Sequence, residues 1–366
     1  MEVHKMNSLK LLLSQREEKD VESYVTTLEK MEEEARKFYS EPLDRIGREE
    51  FVEMMLLDGC FIIELILQSI PNSENFIRVN ANHRLSPFIL RKVMRDLLLV
   101  ENQLPFFVLS TLCSLSSLQE FTPDAVITFF IRMMPGRLIK ERTGNQDVKH
   151  LLGLLHNLSY LGLSLDPLDS CSSPRSRGKF SMRNWQFIRS ATELSEAGVM
   201  FQRNSGVLFD IKFQNGVFSI PILTINDDTE SILRNLVAYE QCYEGISLKW
   251  FTGYITFMDC LINTANDVEL LCGRGVLDNW LGDNEAVATM FNRLGDSVLI
   301  SEADFLYSEI FIGVNEHCHR KWNMWKANLR HNYFNTPGAF ISFTTAIFLL
   351  LCTLLQTLFS ILPSHR

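Results

Sequence analysis

Several absences narrow what this chain can do. No two of its eight cysteines stand in C-x-x-C spacing: Cys60, Cys113, Cys171, Cys242, Cys260, Cys272, Cys318 and Cys352 are scattered, several inside apolar runs. That pattern reads as reduced thiols facing cytosol, and it excludes a disulfide framework. There is no phosphate-binding P-loop, no H-E-x-x-H, no G-x-S-x-G and no dinucleotide fingerprint, which removes the enzyme classes those motifs define. Positive charge is in deficit, with 35 Lys and Arg against 44 Asp and Glu for a net charge of -9. Phosphate contact needs a basic face, so nucleic acid is not the expected partner. The opening "MEVHKMNSLKLLLSQREEKD" has only a very short apolar run before its acids. A secretory signal needs a longer one, and none is expected.

Residues that could carry chemistry are few. His317-Cys318-His319 offers three soft ligands, but neighbours on a helix point about 100° apart and do not close on one ion. His150 and His156 are six apart, on different helical faces. "CGRG", Cys272 to Gly275, reads as a loop. Asp58, Glu64, Asp96 and Glu101 lie in very apolar sequence. A buried carboxyl with a raised pKa is a candidate general acid. The competing reading is a buried polar network, with Arg91 and Arg95 as the nearby partners. A deep polar pocket open to solvent would mark an enzyme, whereas the same acids sealed by arginines and backbone amides would mark a network. No catalytic, cofactor-binding or metal residue is assigned, no cofactor is expected, and the chain is read as not an enzyme.

The 366 residues are 46% hydrophobic and 22% charged, enough for one large globular domain or two ordinary ones. The body reads as mainly α. Val21, Tyr24, Leu28, Met31, Ala35 and Phe38 recur three and four apart, predicting an amphipathic helix whose use is core packing or a short coiled coil. A helix over 46–69 follows, then two stretches broken near Pro105, then "DVKHLLGLLHNLSYLGL". One stretch breaks the pattern. "GVLFDIKFQNGVFSIPILTI" alternates around Asn215-Gly216, which predicts a β-hairpin near 205–225 with a type I′ turn. Asp227 or Thr229 then caps a helix with Glu230 in its first turn. Residues 164–184, rich in Ser, Pro and Gly, carry Arg175, Arg177, Lys179 and Arg183 with no acid after Asp169. They read as a basic loop, either simply solvated or meeting anionic headgroups or an acidic partner.

From Gly338 to Leu362 there is no charged residue. At about 1.5 Å per residue that run crosses a hydrocarbon core of about 30 Å, so 337–362 is expected to be a transmembrane helix, with the bilayer as its partner. The rival "MMLLDGCFIIELILQSI", Met54 to Ile70, is shorter and holds Asp58 and Glu64, so it reads as a core helix. Arg320, Lys321, Lys326 and Arg330 precede the run, which places the body in the cytosol by the positive-inside bias. Trp322, Trp325, Tyr333 and Phe334 lie just upstream and suit either the headgroup layer or the last helix of the body. The expected architecture is a cytosolic domain, 1–335, with a single C-terminal tail anchor.

The segments "FVEMMLLDGCFIIELI", "RDLLLVENQLPFFVL", "ATELSEAGVMFQ", "LFDIKFQNGVFSIPILTINDDTESILRNLVAYEQC", "ITFMDCLINTANDVELL" and "LGDNEAVATMFNRL" resemble the plant family named domain of unknown function 247, or UPF0481. The similarity covers nearly the whole chain, including the apolar C-terminal run. The resemblance implies a membrane protein with a recognition role, since some grass members are linked to self-incompatibility, and it supplies no catalytic residues. Two departures stand out. Family members usually begin with an extra segment, which this chain is read as lacking. The family's span often opens Asn-Pro-Trp, and here "NTPGAF" has Gly338 in place of that Trp. Three functions follow: a non-enzymatic anchored recognition or scaffold protein with an unknown protein partner, a membrane-tethered enzyme built on the buried carboxylates, or an outward-facing receptor.

Overall fold

The computed structural model describes residues 1–14, 21–40, 45–70, 85–116, 118, 121–131, 133–136, 148–160, 186–243, 246, 248–296, 298–301, 305–320 and 337–361. The basic segment 164–184 and the aromatics Trp322, Trp325, Tyr333 and Phe334 lie outside them. The described body is mainly helical with a small amount of sheet.

Its first half is built on one helix. α1 (Glu2–Ser14), α2 (Val21–Arg36), α3 (Arg48–Leu67), α4 (Pro87–Asp96), α5 (Phe106–Leu115) and α6 (Pro123–Phe130) follow in order, and α1, α2, α5 and α6 all pack on α3. That explains why α3 is apolar nearly all round: its residues from Phe51 to Leu67 are almost continuously buried. The starts of two of these helices are written locally. Ser86 and Thr122 accept from the amides of Ile89 and Ala125, and Pro87 and Pro123 occupy the first helical position, where no amide is needed.

α7 (Leu151–Tyr160) joins this half to the second. There α8 (Ala191–Glu196), α9 (Thr229–Cys242), α10 (Trp250–Leu261), α11 (Ala265–Gly273), α12 (Asn284–Asp296) and α13 (Ser308–His319) surround two small sheets. One hydrophobic core runs through both halves.

The hairpin is present but shorter than the alternation suggests. β2 (Lys212–Gln214) pairs antiparallel with β3 (Val217–Pro221), and Asn215 and Gly216 turn the corner at φ 51° and 79°. β1 (Met200–Asn204), not foreseen, pairs parallel with β3, so the ring of Phe201 from β1 and that of Phe213 from β2 both meet Phe218. Residues 206–210 are drawn out of the ladder: Asn204 accepts from the Gly206 amide and donates to the Asp210 carbonyl. Past Pro221 the chain changes sheets, and β4 (Leu223–Ile225) pairs parallel with β5 (Leu277–Asn279). The next cap also differs. α9 begins at Asp228, whose carboxylate is taken by Arg91 of α4, while the Thr229 hydroxyl accepts from the Asn226 amide.

The last described element, α14 (Pro337–Ile361), is a helix of 25 residues without an acidic or basic side chain. Among the described residues, however, no helix is long and apolar enough to cross a membrane. The expected transmembrane helix at 337–362 is therefore not established by the structure.

Candidate functional site

The four acids singled out in the sequence do not converge. Asp58 is half-buried, with Lys5 Nζ of α1 2.5 Å away. Glu64, one turn and a half further along α3, is buried and accepts from Gln68 Nε2 at 3.0 Å. Burial pushes its pKa up, opposed by that hydrogen bond. Asp96 and Glu101 are exposed at the end of α4, Asp96 beside Arg95 at 3.7 Å. Arg91 turns instead to Asp228 and Asp227, just ahead of α9. None of the four acids lines either of the two surface depressions described below.

The buried polar chemistry lies elsewhere. Glu240 of α9 is fully buried. Its Oε1 accepts from the Phe251 amide at 2.9 Å, its Oε2 from the Thr252 amide at 2.7 Å, and His156 Nε2 of α7 lies 2.7 Å from Oε1. The carboxylate therefore caps the first turn of α10, where amides point outward and the helix dipole favours an anion. Tyr239 and Phe251 close over the imidazole. Spacing could have found Glu240, because it falls in the buried phase of α9 with Leu233, Leu236 and Val237. His156 was legible only as a face assignment. Its partner is 84 residues away.

Two further acids contrast with each other. Asp267 of α11 accepts from the Thr264 amide and hydroxyl in a capping box, and from the Thr192 amide and hydroxyl of α8. Burial acts to raise its pKa, and those hydrogen bonds, outweighing it, hold the carboxyl below its ordinary range. Asp259 of α10 is the opposite case. Burial and then Asp296 push it up to about 6, and a side chain on Gly295 would collide with its carboxyl. In the His-Cys-His stretch that the sequence sets aside as a metal site, His317 packs on Phe213, Cys318 is buried and His319 is exposed. Among the described residues no group of three or more His, Cys, Asp or Glu is placed to hold a metal ion. Burial raises the thiols of Cys60 and Cys113 to about 12, so neither is a nucleophile near neutral pH.

Two surface depressions stand out among the described residues. One, of about 500 Å³, sits at the carboxyl ends of β4 and β5 where α9 and α12 begin. Asp227, Glu230, Asp283 and Glu285 line it with one cation, Arg293. These acids stand at two helix N-termini, where they offset the dipoles. The other, of about 300 Å³, lies between α1 and α2 over α3. Its lining is mostly apolar, with Glu29, Glu49 and Glu53 as its only charged members. This largely apolar groove with an acidic rim is the candidate site.

The family DUF247, described as plant protein of unknown function, matches residues 1–352. The chain belongs to that family. It is similar to UPF0481 protein At3g47200 of Arabidopsis thaliana, 31% identical over 380 aligned residues covering 98% of this chain and 78% of that protein. A putative UPF0481 protein of the same plant, At3g02645, is 32% identical over 180 residues, covering 48% of this chain and 34% of that protein. No solved structure matches. The DUF247 match begins at residue 1 and takes in both helical halves, both sheets and the first part of α14.

Proposed function

We propose that this DUF247 chain is a non-enzymatic recognition or scaffold protein, held at a membrane by α14 with its helical body in the cytosol, and that the body binds a protein partner. The observation that carries the reading is the exposure of α14. Phe348, Leu349, Leu350, Leu351, Leu354 and Leu355 are each more than half exposed, and no acidic or basic residue interrupts the helix. Water is a poor solvent for such a surface, and lipid is a good one. The hydroxyls of Thr344, Thr345, Thr353 and Thr357 bond back to carbonyls of their own helix, which lowers the cost of placing them in hydrocarbon.

A non-enzymatic role is supported by what holds the buried acids. Glu240 and Asp267 face backbone amides and short polar side chains that saturate them, and such acids stabilise a fold without being available to substrate. Deleting 337–366 tests the anchor: the body is expected to move from the carbonate-resistant membrane fraction into the soluble one. A truncated chain that stays in the membrane after carbonate would refute the reading.

A further inference from the structure

α1 and α2 each lie along α3 but scarcely touch one another. The groove between them has α3 as its floor, through Val52 and Leu56. Met6 and Leu9 form one wall, Val21 and Val25 the other. Met6 is 40% exposed and Val21 37%, high for apolar side chains flanking a core. Glu29, Glu49 and Glu53 stand exposed around it. Arg48 donates to the Glu29 carbonyl oxygen, which places a cation at that end.

We propose that this groove receives an amphipathic helix of a partner protein, with an apolar stripe at i, i+3, i+4 and i+7 and Lys or Arg along its flanks. The proposal rests on the recognition reading above and gives it a site and a partner chemistry. Two helices splayed on a third leave the place that a fourth fills in a bundle, and an apolar stripe is what such a place accepts. The carboxylates select the flanks: they favour cations at the rim and repel an acidic helix. They equally repel the anionic headgroups of a cytoplasmic leaflet, which sets a protein helix ahead of lipid as occupant.

The test uses the full chain in mild detergent and a labelled synthetic helix of about 16 residues, with leucines on the stripe and lysines on the flanks. Two control peptides share its length: one with the leucines scattered, one with every Lys changed to Glu. The lysine helix is expected to bind saturably, and each control to bind about tenfold more weakly or worse. Val21→Asp is expected to weaken the lysine helix about tenfold, and Glu49→Lys with Glu53→Lys to reverse the preference toward the glutamate peptide. All three positions are at the surface, and unchanged circular dichroism verifies the fold. Equal binding of the scattered peptide, or an unreversed preference, overturns the proposal. So does a dimer of the chain abolished by Val21→Asp, which would make a second copy the occupant. Binding that emerges only after residues 174–183 are neutralised would assign the groove to the chain's own basic segment and overturn it as well. Proximity labelling in plant cells keeps the two levels apart. Proteins labelled equally by wild type and Val21→Asp overturn the groove but leave recognition standing, whereas no enrichment over a membrane-only control overturns recognition itself.

Discussion

Removing the Glu240 carboxylate tests how the two halves of the body are joined. Glu240→Ala orphans two buried amides at the start of α10 and removes the carboxylate that His156 Nε2 meets. Each unsatisfied buried donor costs about 1–3 kcal/mol, so two orphaned amides and the lost histidine contact put the expected loss at about 3 kcal/mol or more. Glu240→Gln separates charge from shape. An amide keeps one oxygen, which can hold the Oε1 position with Phe251 and His156, but its NH2 then faces the Thr252 amide, donor against donor. One orphaned donor makes the expected loss about 1–3 kcal/mol. Urea unfolding followed by tryptophan fluorescence suits the measurement, because Trp250 is buried at the first position of α10. His156 and Glu240 should also couple by about 1–3 kcal/mol in a double-mutant cycle. A Glu240→Ala loss below about 1 kcal/mol, or a Gln variant as damaging as Ala, would refute the account.

Acid should weaken the fold through His150. Its Nδ1 accepts from the Gly153 amide, and burial, then Lys149, lower its pKa from 6.5 to about 4. The unfolded chain therefore binds a proton that the folded chain refuses between those values. The contribution is full above pH 6.5 and is lost as pH falls toward 4, by about 2–3 kcal/mol; stability measured from pH 7 to 4 should flatten in His150→Gln, and an unchanged slope would exclude this source. Gly216→Val should destabilise by well over about 1 kcal/mol, since φ is 79° and an added Cβ would lie 2.6 Å from the His317 ring; a melting temperature equal to wild type would count against the turn. Topology can be read from engineered glycosylation sequons: one near Ser172 should stay bare and one appended after Arg366 should be modified if the anchor enters the endoplasmic reticulum, while the opposite pattern would favour an outward-facing body.

Legibility in the sequence followed locality. The helices over 21–36 and 48–67, the break at Pro105 and the turn at Asn215-Gly216 each depend on residues within a few positions, and each is where the pattern placed it. β1 was missed because only Phe201 of its five residues is buried, so no alternation marks it; its partner β3 supplies the reason for it to be a strand. β4 and β5 are three residues each, too short for periodicity to register. The same limit hid the site. Nothing in α1 announces that Met6 stays uncovered, because that depends on how far α2 lies from it along α3. Ion pairs between distant segments escape the sequence for a related reason. Arg91 was expected to serve nearby acids, and it serves Asp228, 137 positions away.

The junction at Glu240 also orders events during synthesis. α7 emerges 84 residues before the carboxylate that His156 meets. At about 5–20 residues per second, the ribosome leaves that helix without its partner for about 4–17 s. Through that interval Leu151, Leu152, Leu154 and Leu155, all buried in the finished body, have only the first half of the chain to cover them. The nascent chain thus carries a sticky apolar helix long before its fold can close. Its yield in a cell should depend on chaperones that hold this helix, and slowing elongation between residues 160 and 240 should lower that yield.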